Sequence, residues 1–259
     1  MRVSKRNKIS ALLVVAVVTG VSLTSYAQKR ASQYKVHGRD REQPSVVTPG
    51  DRPSDPPSDA IILFDGKDLS KWQKGQGKPA TWKVENGTMA VVRKGGSIVT
   101  RQSFGDCQLH IEWASPASGE GDGQGRGNSG IKFMGKYELQ VLDSYKNITY
   151  ADGQAGAIYG QYPAMVNASK GPGQWQSYEV IFRRPVFDDQ GAVVRPASIT
   201  AFHNGVLVQD HSELLGGTSG ASRSYRKHAE KLPLQLQDHS HPVRYRNIWI
   251  RELPEPRQP

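Results

Sequence analysis

Two stretches of this chain alternate polar and apolar side chains with a period of two. One is Asn128-Ser129-Gly130-Ile131-Lys132-Phe133, continuing as Tyr137-Glu138-Leu139-Gln140-Val141-Leu142-Asp143. The other is Leu234-Gln235-Leu236-Gln237-Asp238-His239, continuing as Val243-Arg244-Tyr245-Arg246-Asn247-Ile248-Trp249-Ile250. Successive side chains of a β-strand point to opposite faces, so this alternation commits both stretches to strands with one buried face. The second face carries Glu, Gln, Lys and Arg rather than an arbitrary surface mixture. Carboxylates, amides and neighbouring aromatics on one sheet face are what a sugar-binding cleft requires.

Strand signals recur along the chain and helix signals are scarce. Short strands are predicted at 60–64, 82–85, 88–92, 97–100, 107–113, 129–133, 137–143, 174–184, 197–203, 206–211, 234–238 and 243–252. Glycine-containing turns separate them, and Asn86-Gly87 and Asn204-Gly205 are two-residue hairpin signals. Many short strands at close spacing predict an all-β, antiparallel β-sandwich or jelly roll. Residues 119–130 are glycine-rich but lack the strand–turn–helix context of a phosphate loop, so they read as a mobile loop.

The ends of the chain are of another character. Basic residues 1–8, an apolar run at 9–23 and Ser25-Tyr26-Ala27 predict a secretory signal peptide over 1–27. Its apolar run is short for a bilayer, so no membrane span is expected once it is cleaved. Residues 28–58 are polar and proline-rich and read as a flexible tether. The folded domain is expected at 59–253 and a polar tail at 254–259. The net charge of +10 divides into +4 on the leader, +2 on the tether and +4 on the remainder. No basic stripe with interleaved aromatics is present, which argues against nucleic-acid binding. Cys107 is the single cysteine, so an exported chain of this kind has no internal disulfide and must rely on its core. Cys107 itself reads as a packed small hydrophobe.

The order of several motifs is specific. Phe64-Asp65-Gly66-Lys67-Asp68-Leu69 leads to Trp72, followed by Trp82-Lys83-Val84-Glu85-Asn86-Gly87, Asn128-Ser129-Gly130-Ile131 and the Tyr137 to Asp143 run. Gly156-Ala157-Ile158-Tyr159-Gly160, Gly173-Gln174-Trp175, His203-Asn204-Gly205-Val206 and the Leu236-Gln237-Asp238-His239 to Ile250 segment complete the series. In this order they resemble the 3-keto-disaccharide hydrolase family over essentially all of residues 59–253. The resemblance implies a concanavalin A-like sandwich and cleavage of 3-keto-glycosides by exported bacterial proteins, placed in the periplasm or the medium. One departure stands out. The family often has Trp-Asn where this chain has Trp175-Gln176, and a longer amide would shift any contact it makes with a sugar.

A 3-keto sugar breaks its glycosidic bond by an unusual route. The C3 carbonyl acidifies the proton on C2, a base removes it, and the C1 substituent leaves by β-elimination before water adds to the unsaturated sugar. The roles needed are a base at C2, a stabiliser for the C3 oxygen and an acid at the leaving oxygen. Ordinary glycoside hydrolysis instead needs two carboxylates flanking C1. Laminarinase-type glucanases of the same general fold carry E-x-D-x-x-E at the spacing of Glu138, Gln140 and Asp143. Here the middle acid is Gln140 and the last is the shorter Asp143, which weakens a retaining mechanism. Strict alternation puts Asp143 on the opposite face from Glu138 and Gln140 unless a bulge at Leu142 turns it back.

The catalytic candidates are Glu138, His239, His203 and Lys132. Histidine is the natural base near neutral pH, and the order of preference is His239, His203, then His211. Lys132 is placed to stabilise an enediolate or to pair with Glu138. Asn128, Gln140, Asp143, Tyr159, Trp175, Gln237 and Asp238 are the substrate-binding candidates, with Tyr159 and Trp175 able to stack on a pyranose. No cofactor is required by the sequence. Asp143, Asp238 and His239 are competent ligands for a divalent cation, although no compact ligand motif is present. The partners expected are a carbohydrate and, upstream, a sugar 3-dehydrogenase, since this chain has no dinucleotide fingerprint. The competing reading is a non-catalytic carbohydrate-binding module, because the same sandwich serves lectins. An accessory role at the cell surface is a third, favoured only by the tether.

Overall fold

The computed structural model describes residues 36–39, 42–218 and 223–256, so the leader expected at 1–27 lies outside it. Among the described residues the regular elements are strands and a few single 3-10 turns, with no α-helix. In chain order the strands are β1 (Ile61–Phe64), β2 (Trp72–Gln73), β3 (Lys83–Glu85), β4 (Thr88–Ala90), β5 (Ile98–Phe104), β6 (Cys107–Ala114), β7 (Ser129–Phe133) and β8 (Tyr137–Val141). They continue with β9 (Gln176–Arg183), β10 (Val186–Phe187), β11 (Val193–Arg195), β12 (Ser198–His203), β13 (Val206–Glu213), β14 (Leu232–Leu236) and β15 (Arg244–Glu252). A large sheet runs β13-β12-β9-β6-β15-β4-β3, with β1 also pairing β15, and a small sheet runs β2-β5-β14-β7-β8. β10 and β11 form a separate two-stranded ribbon. The antiparallel sandwich expected from the alternation is what the chain forms.

Alternation fills the space between the sheets. Leu109, Ile111 and Trp113 of β6 and Tyr178, Val180 and Phe182 of β9 meet Ile131, Phe133, Leu139 and Val141 from the small sheet. Phe133 and Phe182 stack across the interface at 4.8 Å. Two core tyrosines also bond across it: Tyr178 Oη donates to the Gln140 carbonyl at 2.8 Å and Tyr245 Oη to Ser129 Oγ at 2.7 Å. A buried phenol needs such a partner, and here the partner is a strand that carries the site described below. Cys107 is buried at the start of β6, paired in register with Phe182 and Glu252. Burial pushes its thiol far above the usual range, in keeping with a packed side chain.

Both Asn-Gly hairpins form. Asn86 and Gly87 have φ of 51° and 72°, and Asn204 and Gly205 have 53° and 80°. Left-handed backbone at both central residues is the turn that matches strand twist, and Asn and Gly tolerate it best. Asn204 also donates to Gln176 Oε1 at 2.6 Å and to the Ala168 carbonyl at 2.9 Å, and accepts from the Ser177 N–H at 2.9 Å. Asn204→Ala is therefore expected to cost about 2–3 kcal/mol, from left-handed strain plus stranded hydrogen-bonding groups. A lowered urea midpoint at unchanged slope would show it; a change below about 0.5 kcal/mol would contradict this account.

The structure departs from the sequence reading at the edges of elements. β2, β10 and β11 are too short for periodicity to reveal. β5 runs on through polar Arg101, Gln102 and Ser103 because β14 pairs with it as far as Phe104. The end of the proline-rich stretch is packed rather than free. The Ser54 carbonyl accepts from Asn247 Nδ2 and Trp249 Nε1, both at 3.0 Å, and Ser58 and Thr48 are joined by two hydrogen bonds. The prolines nearby lower the entropy lost in fixing this segment. No helix among the described residues is long and apolar enough to cross a membrane.

Candidate functional site

On the small sheet, the parity that buries Ile131 and Leu139 turns Gly130, Lys132, Glu138 and Gln140 to the outer face. Register places Lys132 opposite Glu138 and Gly130 opposite Gln140, with Gln235 of β14 beside Lys132. Gln237 follows on the same face, its N–H bonded to the Gly130 carbonyl at 2.9 Å. Lys132 Nζ meets Glu138 Oε2 at 3.1 Å, with side chains only 12% and 4% exposed. An ion pair this buried on the outer side of a sheet is not a solvated cross-strand pair. Burial raises the Glu138 carboxyl above its ordinary range, opposed by the charge and hydrogen bond of Lys132.

Gly130 makes this arrangement possible. A Cβ there would lie 2.1 Å from Glu138 Oε1 and 2.9 Å from its Cδ. The carboxylate thus lies across the one strand position that lacks a side chain. The chain after β8 folds back along that strand: Gln140 N–H bonds the Ala157 carbonyl, Gly156 N–H the Gln140 carbonyl and Tyr159 N–H the Glu138 carbonyl. This brings Tyr159 to the site, where its hydroxyl meets that of Tyr150 at 2.8 Å. Thr218 Oγ1 accepts from the Glu138 N–H at 3.1 Å.

An amide cluster adjoins the pair. Gln124 Oε1 accepts from Asn128 Nδ2 at 3.1 Å and Gln140 Nε2 at 3.0 Å, while its Nε2 donates to the Gly153 carbonyl at 2.9 Å. Gln140 Oε1 is buried and has no donor among the described residues, leaving a fixed acceptor suited to a hydroxyl. Sequence reasoning missed Gln124, Tyr150, Thr218 and the part played by Gly130. Gln124 lies in the glycine-rich stretch read as a mobile loop. That loop is pinned, with Asn147 accepting from Gly123 N–H at 2.8 Å and donating to the Gly123 and Asp143 carbonyls at 3.0 and 2.7 Å.

The structure moves several candidates away from this face. His203 is on no rim: it is fully buried in the core, 4.8 Å from the Tyr178 ring and 5.8 Å from Trp113. Burial, then Lys170, lowers its pKa to about 4, so it stays neutral. Its Nε2 meets Gln176 Oε1 at 3.2 Å. Gln176 also binds both backbone groups of Lys170, so the residue that departs from the family's Trp-Asn is a buried structural hub. Trp175 stands on the outer side of the large sheet, against Arg244 and Arg246, and cannot share a sugar with Tyr159. Asp143 lies past the end of β8, so no bulge returns it to Glu138. It pairs with Arg126 at 3.0 Å beside a cavity of about 150 Å³ that His241 also lines.

His239 is exposed on the turn after β14, stacked on His241 at 5.7 Å, and His211 is exposed at a bulge in β13. Asp238 fixes the same turn, accepting from Gly96 N–H at 2.8 Å and Ser240 N–H at 2.7 Å. Asp143, Asp238 and His239 are thus not gathered as a cation site, and no group of three such side chains is placed to hold a metal among the described residues.

The outer side of the large sheet has its own buried polar cluster. His110 of β6, 1% exposed, puts Nδ1 on Glu179 Oε1 and Nε2 3.6 Å from Glu112 Oε1, and its ring stacks on Trp249. Burial pulls its pKa down, but hydrogen bonds and charge from Glu112 and Glu179 more than reverse this and carry it up to about 9. A pKa raised from 6.5 contributes stability that is full below the unfolded value and lost as pH climbs to about 9. Unfolding free energy should fall between pH 6.5 and 9, and His110→Asn should flatten that slope. An equal slope in the variant would count against the assignment.

Comparisons with known proteins bear on the family and the fold. A family model described as 3-keto-alpha-glucoside-1,2-lyase-like domain matches residues 59–251. A solved candidate glycosyl hydrolase from Parabacteroides distasonis ATCC 8503 is 44% identical, covering 84% of this chain and 95% of its own, with a TM-score of 0.80. Two further candidate glycosyl hydrolases of that strain are 21% identical with TM-scores of 0.55 and 0.52. Each covers 75% of this chain, and they cover 94% and 99% of their own; at that identity they bear on the fold alone. No curated protein matches the chain.

Proposed function

Because this chain belongs to the family of 3-keto-alpha-glucoside-1,2-lyase-like domains, we propose that it is an exported enzyme that cleaves 3-keto-glycosides by way of C2 deprotonation. The observation that carries this reading is the buried Glu138–Lys132 pair on the outer face of the small sheet. Glu138 takes the proton from C2. The electrons of that C–H bond pass to the C3 oxygen as an enediolate, which Lys132 stabilises. Their return forms the C1–C2 double bond and expels the C1 oxygen, which takes up from Glu138 the proton removed from C2 and so leaves as a hydroxyl. Water then adds across the double bond to give the free 3-keto sugar. A carboxylate raised by burial is a stronger base than one in water, and a fixed ammonium beside the forming oxyanion needs no reorganisation.

With His203 buried in the core, Glu138, fixed beside Lys132, is the base in this reading. Gln140, Asn128 and Gln237 supply amides for the sugar hydroxyls, and Tyr159 an aromatic face. The leader-like residues 1–27 support export, and a sugar 3-dehydrogenase must supply the keto group. The test is to incubate the full chain with 3-keto-trehalose and 3-keto-β-glucosides beside their unoxidised parents and follow released sugar. Cleavage of the keto substrates alone is expected, and equal cleavage of the parents would refute the elimination route. The amide cluster of Gln124, Asn128 and Gln140 would equally serve a non-catalytic binding module, which binding of unmodified glycan without turnover would reveal.

A further inference from the structure

The outer side of the large sheet holds a groove that the chemistry on the small sheet leaves unused. Trp175, just ahead of β9, stands between two cavities of about 460 and 400 Å³, each of a size that accepts a small ligand. Arg246 borders both, its guanidinium 4.1 Å from the indole centre, with that of Arg244 at 5.3 Å. The indole is half-buried. The floor is built from β6, β9 and β15, interior strands of the large sheet, which hold side chains more firmly than a loop would.

The charges in this groove do not cancel. Its carboxylates are already matched: Glu112 with Arg246 at 2.6 Å, Glu179 with His110, and Glu85 with Lys83 at 2.6 Å. Two cations are left over. Arg244 bonds the Gly173 carbonyl at 3.4 Å and Lys170 the Trp175 carbonyl at 3.2 Å, and neither has a carboxylate partner among the described residues. Arg244 lines one cavity and Lys170 the other, so the spare charges flank the tryptophan.

We propose that this groove is a second carbohydrate site, one that binds an acidic oligosaccharide bearing uronate carboxylates. A sugar ring packs on Trp175, and carboxylates of successive units meet Arg244 and Lys170. A guanidinium offers a carboxylate two parallel donors, and an indole offers the apolar face of a pyranose a large surface. A neutral glycan would use the tryptophan but not the two cations. The site lies on the opposite sheet from Glu138, so it holds a chain without occupying the catalytic face.

Calorimetric titration of the full chain with a galacturonate oligosaccharide, and with a neutral glucan oligosaccharide of equal length, tests this. The galacturonate should bind more tightly. Trp175→Ala and Arg244→Gln should each weaken it about tenfold or more, the loss typical of an interface anchor. Glu138→Gln combined with Lys132→Met, which removes both charges of the small-sheet pair together, should keep the wild-type affinity. Arg244→Gln alters a partly exposed side chain and so reports even if Trp175→Ala misfolds. No binding by the wild type, equal binding of the neutral chain, unchanged affinity in Arg244→Gln, or loss in the folded Glu138→Gln, Lys132→Met double variant would each overturn the proposal.

Discussion

Glu138→Gln is expected to slow cleavage of 3-keto-glycosides by about 10²–10⁴-fold, the usual worth of a positioned general base. The amide keeps the shape of the carboxyl and an acceptor for Lys132, but it cannot take a proton from carbon. It also leaves the Lys132 ammonium buried without a counter-charge, which should cost about 3 kcal/mol of stability. Those two losses can be separated. Adding Lys132→Met to Glu138→Gln removes both charges and should restore most of the stability while activity stays lost. If the double variant regained activity, Glu138 would be a structural residue. Lys132→Met alone makes a further prediction. Lys132 is what holds the Glu138 carboxyl down against burial, so its loss raises that carboxyl further. A base must be ionised, and the acid limb of the pH–rate profile should therefore move to higher pH.

Gly130→Ala should be nearly as damaging to catalysis, by at least about 10²-fold, although alanine suits a strand better than glycine. A methyl 2.1 Å from Glu138 Oε1 cannot coexist with that carboxylate, which must swing away from Lys132. Because Gly130 has no positive φ, the collision and not backbone strain is the cause. Shortening the acid relieves it. Glu138→Asp in the Gly130→Ala background should recover part of the rate lost in Gly130→Ala, although in the wild-type background it should lower the rate. Activity near wild type in Gly130→Ala would mean that the observed position of the carboxylate is not the working one.

What could be read in advance followed from parity. The period-two runs put Gly130, Lys132, Glu138 and Gln140 on one face and the aliphatics on the other, and that needs nothing beyond local backbone geometry. His203 was not legible in this way. Its burial comes from Tyr178 and Trp113, which are adjacent only after β12, β9 and β6 pair. Trp175 shares its parity with Ser177 and Glu179, so alternation could have placed it on a polar face. That this face belongs to the sheet opposite Glu138 is a matter of topology. Gln124 lay beyond reach for another reason: its value rests on side-chain bonds to Asn128, Gln140 and the Gly153 carbonyl, inside a loop whose composition suggests freedom. The end of the proline-rich stretch misled similarly, since its anchors, Asn247 and Trp249, lie 193 and 195 residues further along the chain.

Cys107 gives the protein a built-in clock. The thiol is sealed in the sheet, its pKa is driven up, and there is no second cysteine for it to meet. An oxidising compartment therefore leaves the folded chain unmarked, while a thiol reagent can tag a molecule only while β6 is open. The tagging rate, followed by mass spectrometry, counts those openings. Run on the wild type and on the Gly130 and Glu138 variants, it would tell whether lost activity reflects a misplaced carboxylate or a loosened sandwich.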